Sequence, residues 1–501
     1  MTETALAADN ELKPYIAELD QHFDAARRDI GAPGLIYGVI ADGKVKHIKS
    51  FGVRNIETGA PITKSSAFRI ASMTKMMTAL LVYDLHDKGD IYLDAPAETY
   101  APELAALDYP TTDSRKVTVR DLVNHTAGFV MDDPWADRQI ARTNAELDGF
   151  IKNAAPFSAA PGERWEYSNL GYVFLGRIIE NITGETFSER LRSRILDPLG
   201  MTGSGLATSE INNETRAYGY QNIDGVYLDQ PVLASGAFDP LGGMWTTAED
   251  YGRFIGWMLS AWPPRDDTET EGLIPRRVVR MATDGTYLLN AGPRYGSNGN
   301  DDCAVAAGYG MGLDQYNHCT IGLALGHIGG FPGYGTYVLM APEKGFGVFA
   351  FANVTYAEVY GPVWDASVML AEHGYGVARS EPSASSALSD AYRGVVDAYI
   401  AGDIKNAGLA VADNFFLDRS ASRWNAQLSD IKRRAGACDS ESALTASGRL
   451  SGSFVWNCKK ARVAGQIILS PIKPSPVQLL HIRHMRRDIS GNDVVVDFDF
   501  H

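Results

Sequence analysis

Ser72 and Lys75 stand three residues apart at the head of an apolar run that covers residues 76–83. Residues three apart lie on one face of a helix, so this spacing places a hydroxyl beside an amine. A helix N-terminus also presents free backbone N–H groups and the positive end of the helix dipole, which stabilise a developing anion. Because a neighbouring base makes serine a good nucleophile, the pair predicts covalent catalysis at Ser72. The alternative is an N-cap serine followed by a surface lysine.

Tyr167 and Asn169 form a second group, between a loop at residues 161–165 and an apolar stretch at residues 171–180. Side chains two residues apart on an extended segment point to the same side. A nearby ammonium favours an ionised phenol, so Lys75 is expected to lower the pKa of Tyr167 from its ordinary value of about 10. The amide of Asn169 can bind both the lysine and a substrate carbonyl. The alternative is a loop tyrosine and a capping asparagine.

A third group, which consists of His327, Gly329 and Gly330, precedes an apolar hairpin. Glycine in or beside a strand lets a ligand approach the backbone closely. An edge strand here could pair with a peptide-like substrate and direct one backbone N–H at its carbonyl oxygen. The alternative for His327 is a structural histidine whose hydrogen bonds are satisfied within the fold.

The pattern of the chain predicts the elements that position these groups. Residues 11–30 indicate an amphipathic helix, and residues 34–40 and 44–53 indicate two strands joined by an Asp-Gly turn. The helix after Ser72 should end near Gly89. Short helices and loops should fill the middle of the chain, and a second hairpin and a helix follow at residues 335–340, 347–353 and 363–372. This order predicts an α+β fold, in which both chain ends build an antiparallel sheet flanked by helices, with a mainly helical insertion.

Residues 379–387 have the composition of a linker, which predicts a first domain at 1–378 and a small α+β domain at 388–501. The second domain should hold helices and then strands, at residues 388–401, 425–434, 444–457, 461–470, 477–485 and 492–500. His481 and His484 would fall on opposite faces of a strand, so no metal pair is predicted there. Without a catalytic group, this domain is expected to serve packing or homo-oligomer formation.

The composition limits the classes of function. The chain has 501 residues, of which 45% are hydrophobic and 21% charged, which is typical of a soluble globular protein. Its net charge of −15 argues against a nucleic-acid surface and indicates either solubility or a preference for neutral or cationic substrates. The sequence contains no run of 18 apolar residues, so no membrane span is predicted. Residues 1–8 lack the basic and apolar regions of a secretory signal.

Four cysteines fall into two local pairs, Cys303 with Cys319 and Cys438 with Cys458. Four cysteines allow three pairings, and the local one is the simplest. Two disulfides would indicate a periplasmic or secreted protein, whereas four reduced thiols would be compatible with the cytoplasm. Neither pair has the spacing of a zinc site.

In this order, the three groups resemble the motifs of the serine β-lactamase and penicillin-binding-protein superfamily. Residues 68–75 look like its nucleophile block, and residues 121–128 resemble its His-Thr-Ser-Gly loop, with Ala127 in place of the serine. Similar segments lie at residues 197–201, 242–250 and 326–343. The resemblance extends over about three quarters of the chain, residues 12–375.

The resemblance implies a role for each residue. Ser72 would be the acylated nucleophile, and Lys75 and Tyr167 would share the work of general base and acid. Asn169 would orient Lys75 and bind the substrate amide. The backbone N–H groups of Ser72 and Gly330 would form an oxyanion hole, in which one donor is typically worth about 3–4 kcal/mol. No metal or cofactor is implied.

The third group departs from the pattern of many β-lactamases, because His327-Ile328-Gly329 stands where they have Lys-Thr-Gly or Lys-Ser-Gly. A histidine, with an ordinary pKa near 6.5, binds a substrate carboxylate less firmly than a lysine does, so efficient β-lactam hydrolysis is not predicted. This histidine resembles the aminopeptidase, carboxypeptidase and esterase branch. We therefore predict a serine peptidase or amidase for short linear or D-residue-containing peptides, which include linearised cyclic peptides. The alternatives are a carboxylesterase and a non-catalytic binding protein on the same scaffold.

Overall fold

A computed structural model describes residues 12–281, 287–293, 304–376, 384–405, 408–439, 444–487 and 493–494. The chain forms two compact units, Met1–Arg379 and Ser380–His501. The helices are α1 (Ile16–Ile30), α2 (Thr74–Lys88), α3 (Val119–Asn124), α4 (Asp133–Ala136), α5 (Asn144–Ile151), α6 (Asn169–Thr183), α7 (Phe187–Leu191), α8 (Asp239–Gly242), α9 (Ala248–Leu259), α10 (Arg276–Arg280), α11 (Tyr360–Glu372), α12 (Ser386–Ala401), α13 (Phe415–Asp418) and α14 (Ala421–Ala435).

The strands of the first unit are β1 (Gly34–Ala41), β2 (Lys44–Gly52), β3 (Ala67–Arg69), β4 (Tyr220–Ile223), β5 (Val226–Asp229), β6 (Trp245–Thr247), β7 (Tyr287–Pro293), β8 (Ala304–Gly310), β9 (Leu313–His318), β10 (Gly322–Phe331), β11 (Tyr334–Ala341) and β12 (Phe346–Ala352). The second unit holds β13 (Cys438–Asp439), β14 (Thr445–Ala446), β15 (Ser451–Cys458), β16 (Arg462–Leu469), β17 (Val477–His484), β18 (Arg486–Arg487) and β19 (Asp493–Val494).

An eight-stranded sheet is the centre of the first unit, with the strand order β2-β1-β12-β11-β10-β9-β8-β7. Neighbouring strands are antiparallel, and β1 from the start of the chain pairs with β12, which lies some 300 residues later. The turn between β1 and β2 holds Asp42 and Gly43, both with a positive φ, as a two-residue hairpin requires. The α+β fold predicted from the sequence is confirmed.

Both faces of this sheet are covered. In β1, Ile36 and Ile40 belong to a core shared with helices α2 and α6, whereas the alternate residues Leu35 and Val39 belong to a core shared with α1 and α11. Every residue of β1 is buried. Because fully burying each such aliphatic side chain contributes roughly 1.5–3 kcal/mol, the two cores hold the sheet rigidly between helices.

Helix α2 runs through the interior of the unit, and its residues 74–85 are all buried. A helix that is apolar on all sides is one that packs on all sides, and α2 contacts α6, α8 and α10. It ends where predicted, at Gly89 in the left-handed conformation. Ser72 lies just before it, on a 3₁₀ turn at Ala71–Met73, instead of in the helix itself.

The second unit has a sheet in the order β13-β15-β16-β17, with β14 also on β15. Helices α12 and α14 pack on it around a core that includes Trp424, Phe454 and Trp456. Helix α12 begins at Ser386, inside the stretch predicted to be linker, because the Ser385 side chain caps its N-terminus. The predicted strand at 492–500 lies almost entirely outside the described residues. In the described part of the chain, no helix is long and apolar enough to cross a membrane.

The predicted cysteine pairs can be compared with the structure in part. Cys438 and Cys458 form a disulfide between β13 and β15. Cys319 is also disulfide-bonded, and Cys303 lies outside the described residues.

Candidate active site

The backbone before Ser72 has an uncommon conformation. Ala71 has a φ of 50°, in the left-handed region that residues other than glycine rarely adopt. The preceding carbonyl, that of Ile70, accepts a hydrogen bond of 3.0 Å from the Thr336 hydroxyl on β11. The central sheet therefore holds the turn that presents Ser72, and such local strain is common at functional sites.

The Lys75 amine is completely buried and has three oxygen neighbours. Its Nζ lies 3.1 Å from Ser72 Oγ, 2.6 Å from Asn169 Oδ1 and 2.7 Å from the Leu241 carbonyl oxygen. The last two atoms can only accept, so a neutral amine gives them both of its N–H groups and turns its lone pair toward the serine hydroxyl. Burial lowers the pKa of Lys75 to about 7, although Asp133 and other carboxylates oppose that shift. Much of the lysine is therefore a neutral base at neutral pH.

Asn169 is the first residue of helix α6, not part of an extended loop as predicted from the sequence. The Asp132 carboxylate accepts hydrogen bonds from the backbone N–H groups of Asn169 and Leu170, at 2.7 and 2.9 Å, and so caps this helix. The Asn169 side-chain amide donates to Asp133 Oδ1 at 2.5 Å, which fixes its oxygen toward Lys75. Sequence reasoning missed both aspartates, because they lie more than 30 residues before the motif in a loop without regular spacing.

Tyr167 lies beside this pair, as the sequence predicted, but its ionisation was predicted wrongly. Its ring centroid is 5.1 Å from Lys75 Nζ, and its hydroxyl is hydrogen-bonded to Ser72. Burial, and then the negative charge of Asp133, raise the pKa of Tyr167 well above 10. The phenol therefore keeps its proton at neutral pH and can act as a donor.

A buried chain of hydrogen bonds joins the third motif to the second. The Ser168 N–H donates to His125 Nδ1 at 3.1 Å, so the neutral ring of His125 carries its proton on Nε2. That atom lies 3.1 Å from the Tyr309 hydroxyl, which lies 3.1 Å from His327 Nε2. The remaining ring nitrogen, His327 Nδ1, donates to the Ile328 carbonyl at 2.6 Å. Each nitrogen of both rings thus has one partner.

His125 and His327, the two histidines in this series of hydrogen bonds, are neutral at physiological pH. Burial, and then the nearby Lys75, lower the pKa of His327 to about 3 and that of His125 well below 6.5. His327 therefore cannot supply the positive charge that a lysine in its place would offer to a substrate carboxylate. Tyr309, which links the two rings, was not predicted from the sequence, because it lies in strand β8 without a motif around it.

Gly329 and Gly330 line the cavity beside Ser72, and protein atoms occupy the space that a side chain at either position would need. A Cβ at Gly329 would lie 2.2 Å from the Ile70 carbonyl oxygen, and one at Gly330 would lie 2.7 Å from the Tyr356 ring. The glycines let β10 pack against the Ser72 turn. The predicted open edge is present nearby, since the pairing of β10 with β9 stops at Gly326 and β10 continues to Phe331.

These groups meet at a cavity of about 470 Å³. It is lined by Ser72, Asp133, Asp137, Arg138, Trp165, Tyr167, Tyr309, Asp314, His327, Ile328, Gly329, Gly330, Tyr356 and Ala357. The cavity therefore combines a serine next to a buried base, apolar walls and three carboxyl groups. Lys75 and Asn169 are not among the lining residues, and Lys75 contacts both Ser72 and Asn169.

Three comparisons with known proteins relate the chain to others. Penicillin-binding protein 4 of Amycolatopsis lactamdurans is 29% identical over 338 residues, which cover 66% of this chain and 83% of that protein. Esterase EstB of Burkholderia gladioli is 31% identical over 206 residues, which cover 39% of this chain and 52% of the esterase. The octameric penicillin-binding protein homologue from Pyrococcus abyssi has the same fold, with a TM-score of 0.58 and 22% identity over 94% of this chain and 90% of that one.

The family comparison covers most of the first unit. Residues 19–373 match the family described as beta-lactamase, and this range contains all three groups of site residues. The resemblance inferred from the sequence is confirmed. The chain belongs to the beta-lactamase family of serine hydrolases.

Proposed function

We propose that the protein is a serine hydrolase that forms an acyl-enzyme on Ser72. The observation that supports this most directly is the arrangement around Lys75 Nζ, whose two acceptor neighbours direct the lone pair of the neutral amine at Ser72 Oγ. With a pKa of about 7, the amine is basic enough to take the serine proton, and a substantial fraction of it is unprotonated at neutral pH.

In the proposed reaction, Ser72 Oγ attacks the substrate carbonyl carbon while its proton passes to Lys75 Nζ. The backbone N–H groups of Ser72 and Gly330 bind the oxyanion. Tyr167, which is protonated, gives its proton to the leaving nitrogen or oxygen and regains one from Lys75. The bond to the leaving group breaks and the acyl group stays on Ser72. Water then attacks this ester and gives a proton to Lys75. The bond between Ser72 Oγ and the acyl carbon breaks, Lys75 returns the proton to Ser72 Oγ, and the acid is released.

The preferred substrate in this proposal is a short linear peptide, including peptides with D-residues and linearised cyclic peptides. The open edge of β10 beyond Gly326 supports a peptide, because an extended backbone can pair with it. Neutral His327 supports a substrate without a carboxylate at that place. The alternative, a carboxylesterase, is favoured by the similarity to esterase EstB. A non-catalytic binding protein is the second alternative.

Mass spectrometry of a mixed panel of linear L- and D-containing peptides tests this proposal, with wild type and Ser72→Ala in parallel. We expect cleavage by wild type alone, and the fragments will show which bond is chosen. A wild type that turns over aryl esters but no peptide would favour the carboxylesterase. Peptide cleavage that persists in Ser72→Ala would contradict the mechanism.

We also propose that residues 380–501 serve assembly or packing. The structural relative from Pyrococcus abyssi is octameric, and a homo-oligomer is the corresponding expectation here. The Cys438–Cys458 disulfide supports a periplasmic or secreted location. Light scattering of the purified full chain would determine whether it is a monomer.

A further inference from the structure

Asp314 is a charged residue of the cavity to which neither a motif nor the proposed mechanism gives a role. It lies on β9 and pairs with Gly326 of β10, the residue that precedes His327. The pairing of β9 with β10 ends at this pair. It lines the same cavity as Ser72. Among the residues that the structure describes, none forms a hydrogen bond or an ion pair with the Asp314 carboxyl.

The other charged groups that line the cavity are already paired. Asp133 accepts the side-chain N–H of Asn169 at 2.5 Å. Asp137 binds Arg138 at 3.0 Å and also accepts the hydroxyl of Tyr356. The Arg138 guanidinium contacts that hydroxyl as well, at 3.2 Å. Of the three carboxyl groups of the cavity, those of Asp133 and Asp137 are engaged, as is the guanidinium, and that of Asp314 is available to a ligand.

The surroundings of Asp314 make its carboxyl a receptor for positive charge. The groups on which its charge acts are phenols: after burial, the charge of Asp314 contributes to the raised pKa values of Tyr167, Tyr309 and Tyr337. Burial also raises the pKa of Asp314 to about 7, and no cation among the described residues offsets this shift. An unpaired carboxylate in a sheltered site is unfavourable, and a ligand ammonium would relieve this.

We infer that Asp314 binds an ammonium group of the substrate, so that the enzyme prefers peptides, amides or esters whose acyl part carries a free amine. This inference rests on the proposed function, because it places the ammonium in the cavity where Ser72 attacks. The amine has two possible sources with the same chemistry, the α-amino group of an N-terminal residue and the side chain of a lysine.

The test compares kcat/KM for matched anilides. The substrates are the L- and D-alanine p-nitroanilides, their N-acetyl forms, Nα-acetyl-lysine p-nitroanilide, and the same compound acetylated on Nε. The proteins are wild type, Asp314→Asn and a control, Asp29→Asn. The control removes an aspartate from a neighbouring cavity that Ser72 does not line. Ser72→Ala is included to show that turnover depends on the serine.

In wild type, we expect one free amine, α or ε, to raise kcat/KM about tenfold or more over its acetylated form, as a charge-assisted hydrogen bond should. In Asp314→Asn the preference should disappear, because kcat/KM should fall for the free-amine substrate and stay unchanged for its acetylated form. In Asp29→Asn the preference should persist. The pair that shows the preference identifies the source of the ammonium. An unchanged preference in Asp314→Asn, or an equal loss on all substrates, would overturn the inference.

The outcomes separate this inference from the proposed function. If turnover depends on Ser72 but free and acetylated amines react alike, only the role of Asp314 fails. If Ser72→Ala keeps the activity, the proposed function fails. If no anilide is cleaved, the same question is answered by protection of Ser72 from a fluorophosphonate probe. Protection by alaninamide or lysinamide, but not by their acetylated forms, should then require Asp314, and its absence would count against the inference.

Discussion

The cavity around Ser72 and the core of the second unit differ in what they bury. Near Ser72, the structure buries Lys75, His125, Asn169 and His327, all of them no more than 2% exposed. In the described part of residues 380–501, Ser470 is the one buried polar side chain, and the core is built from aliphatic and aromatic groups. Burying ionisable groups lowers stability and shifts their pKa values, which is useful only where chemistry needs it. This difference supports the proposal that the first unit carries catalysis and that the second serves stability or assembly.

The largest effect that would sharpen this comparison is expected for Tyr167→Phe. The Tyr167 hydroxyl is hydrogen-bonded to Ser72 and keeps its proton. Removing this hydroxyl therefore takes away the proposed acid that protonates the leaving group. We expect kcat for an amide substrate to fall by at least about 10²-fold, the lower end of general acid–base contributions. Steady-state kinetics with an aryl ester provide a control, because a good leaving group needs less protonation. Equal, small losses on both substrates would remove Tyr167 from this role.

The next largest effect is the dependence of activity on pH. Lys75 must be neutral to accept the serine proton, and its pKa is about 7, so kcat/KM should fall about tenfold per pH unit below that value. His327, with a pKa of about 3, does not titrate in this range. Burial also raises the pKa values of Asp239 and Asp314 to about 7. These two carboxyl groups could therefore cause the same fall in kcat/KM below pH 7. If the fall is unchanged in Asp239→Asn and in Asp314→Asn, it reports the protonation of Lys75.

A smaller effect, on stability, is expected for Tyr309→Phe. The change leaves His125 Nε2 and His327 Nε2 without their shared partner, and a buried polar group without a partner costs about 1–3 kcal/mol. The matched control is Tyr251→Phe, because the buried Tyr251 hydroxyl has no hydrogen-bond partner among the described residues. Chemical denaturation should show a lower free energy of unfolding for Tyr309→Phe and no loss for Tyr251→Phe. Similar values for the two variants would contradict the proposed network.

The smallest effect on catalysis is expected for a chain that ends at residue 379. The cavity is lined by residues of the first unit alone, so kcat should change by less than about tenfold, which is 1.4 kcal/mol in the barrier. Stability or the oligomeric state, measured by thermal unfolding and light scattering, should change instead. A folded truncated protein with normal assembly and a large loss of kcat would break the division between the units.

The sequence predicted features that depend on local pattern. The Asp42-Gly43 hairpin, the end of helix α2 at Gly89 and the meeting of Ser72 with Lys75 follow from spacing and turn chemistry. Features set by distant contacts were missed. Helix α6 begins at Asn169 because Asp132 caps it from another loop, and Tyr309 joins the two histidines from strand β8.

The protonation states were also beyond prediction from the sequence. The sequence places an ammonium near Tyr167 but does not reveal the extent of burial, which decides the direction of the pKa shift. Burial also lowers the pKa of Lys75, which makes the amine, and not the phenol, the group of the pair that can accept a proton at neutral pH. Motif spacing thus gave the candidate residues, whereas the burial seen in the tertiary structure supports Lys75 over Tyr167 as the proposed base.

The most direct test of the central claim is covalent labelling of the folded protein with a fluorophosphonate probe, followed by peptide mapping. We expect a label on Ser72 that appears faster as the pH rises through about 7, in step with loss of the Lys75 proton. Lys75→Met should label far more slowly, and Ser72→Ala should not be labelled at this peptide. A folded wild type whose Ser72 stays unlabelled would contradict nucleophilic catalysis by Ser72. Equally fast labelling of Lys75→Met would contradict the role of Lys75 as the base.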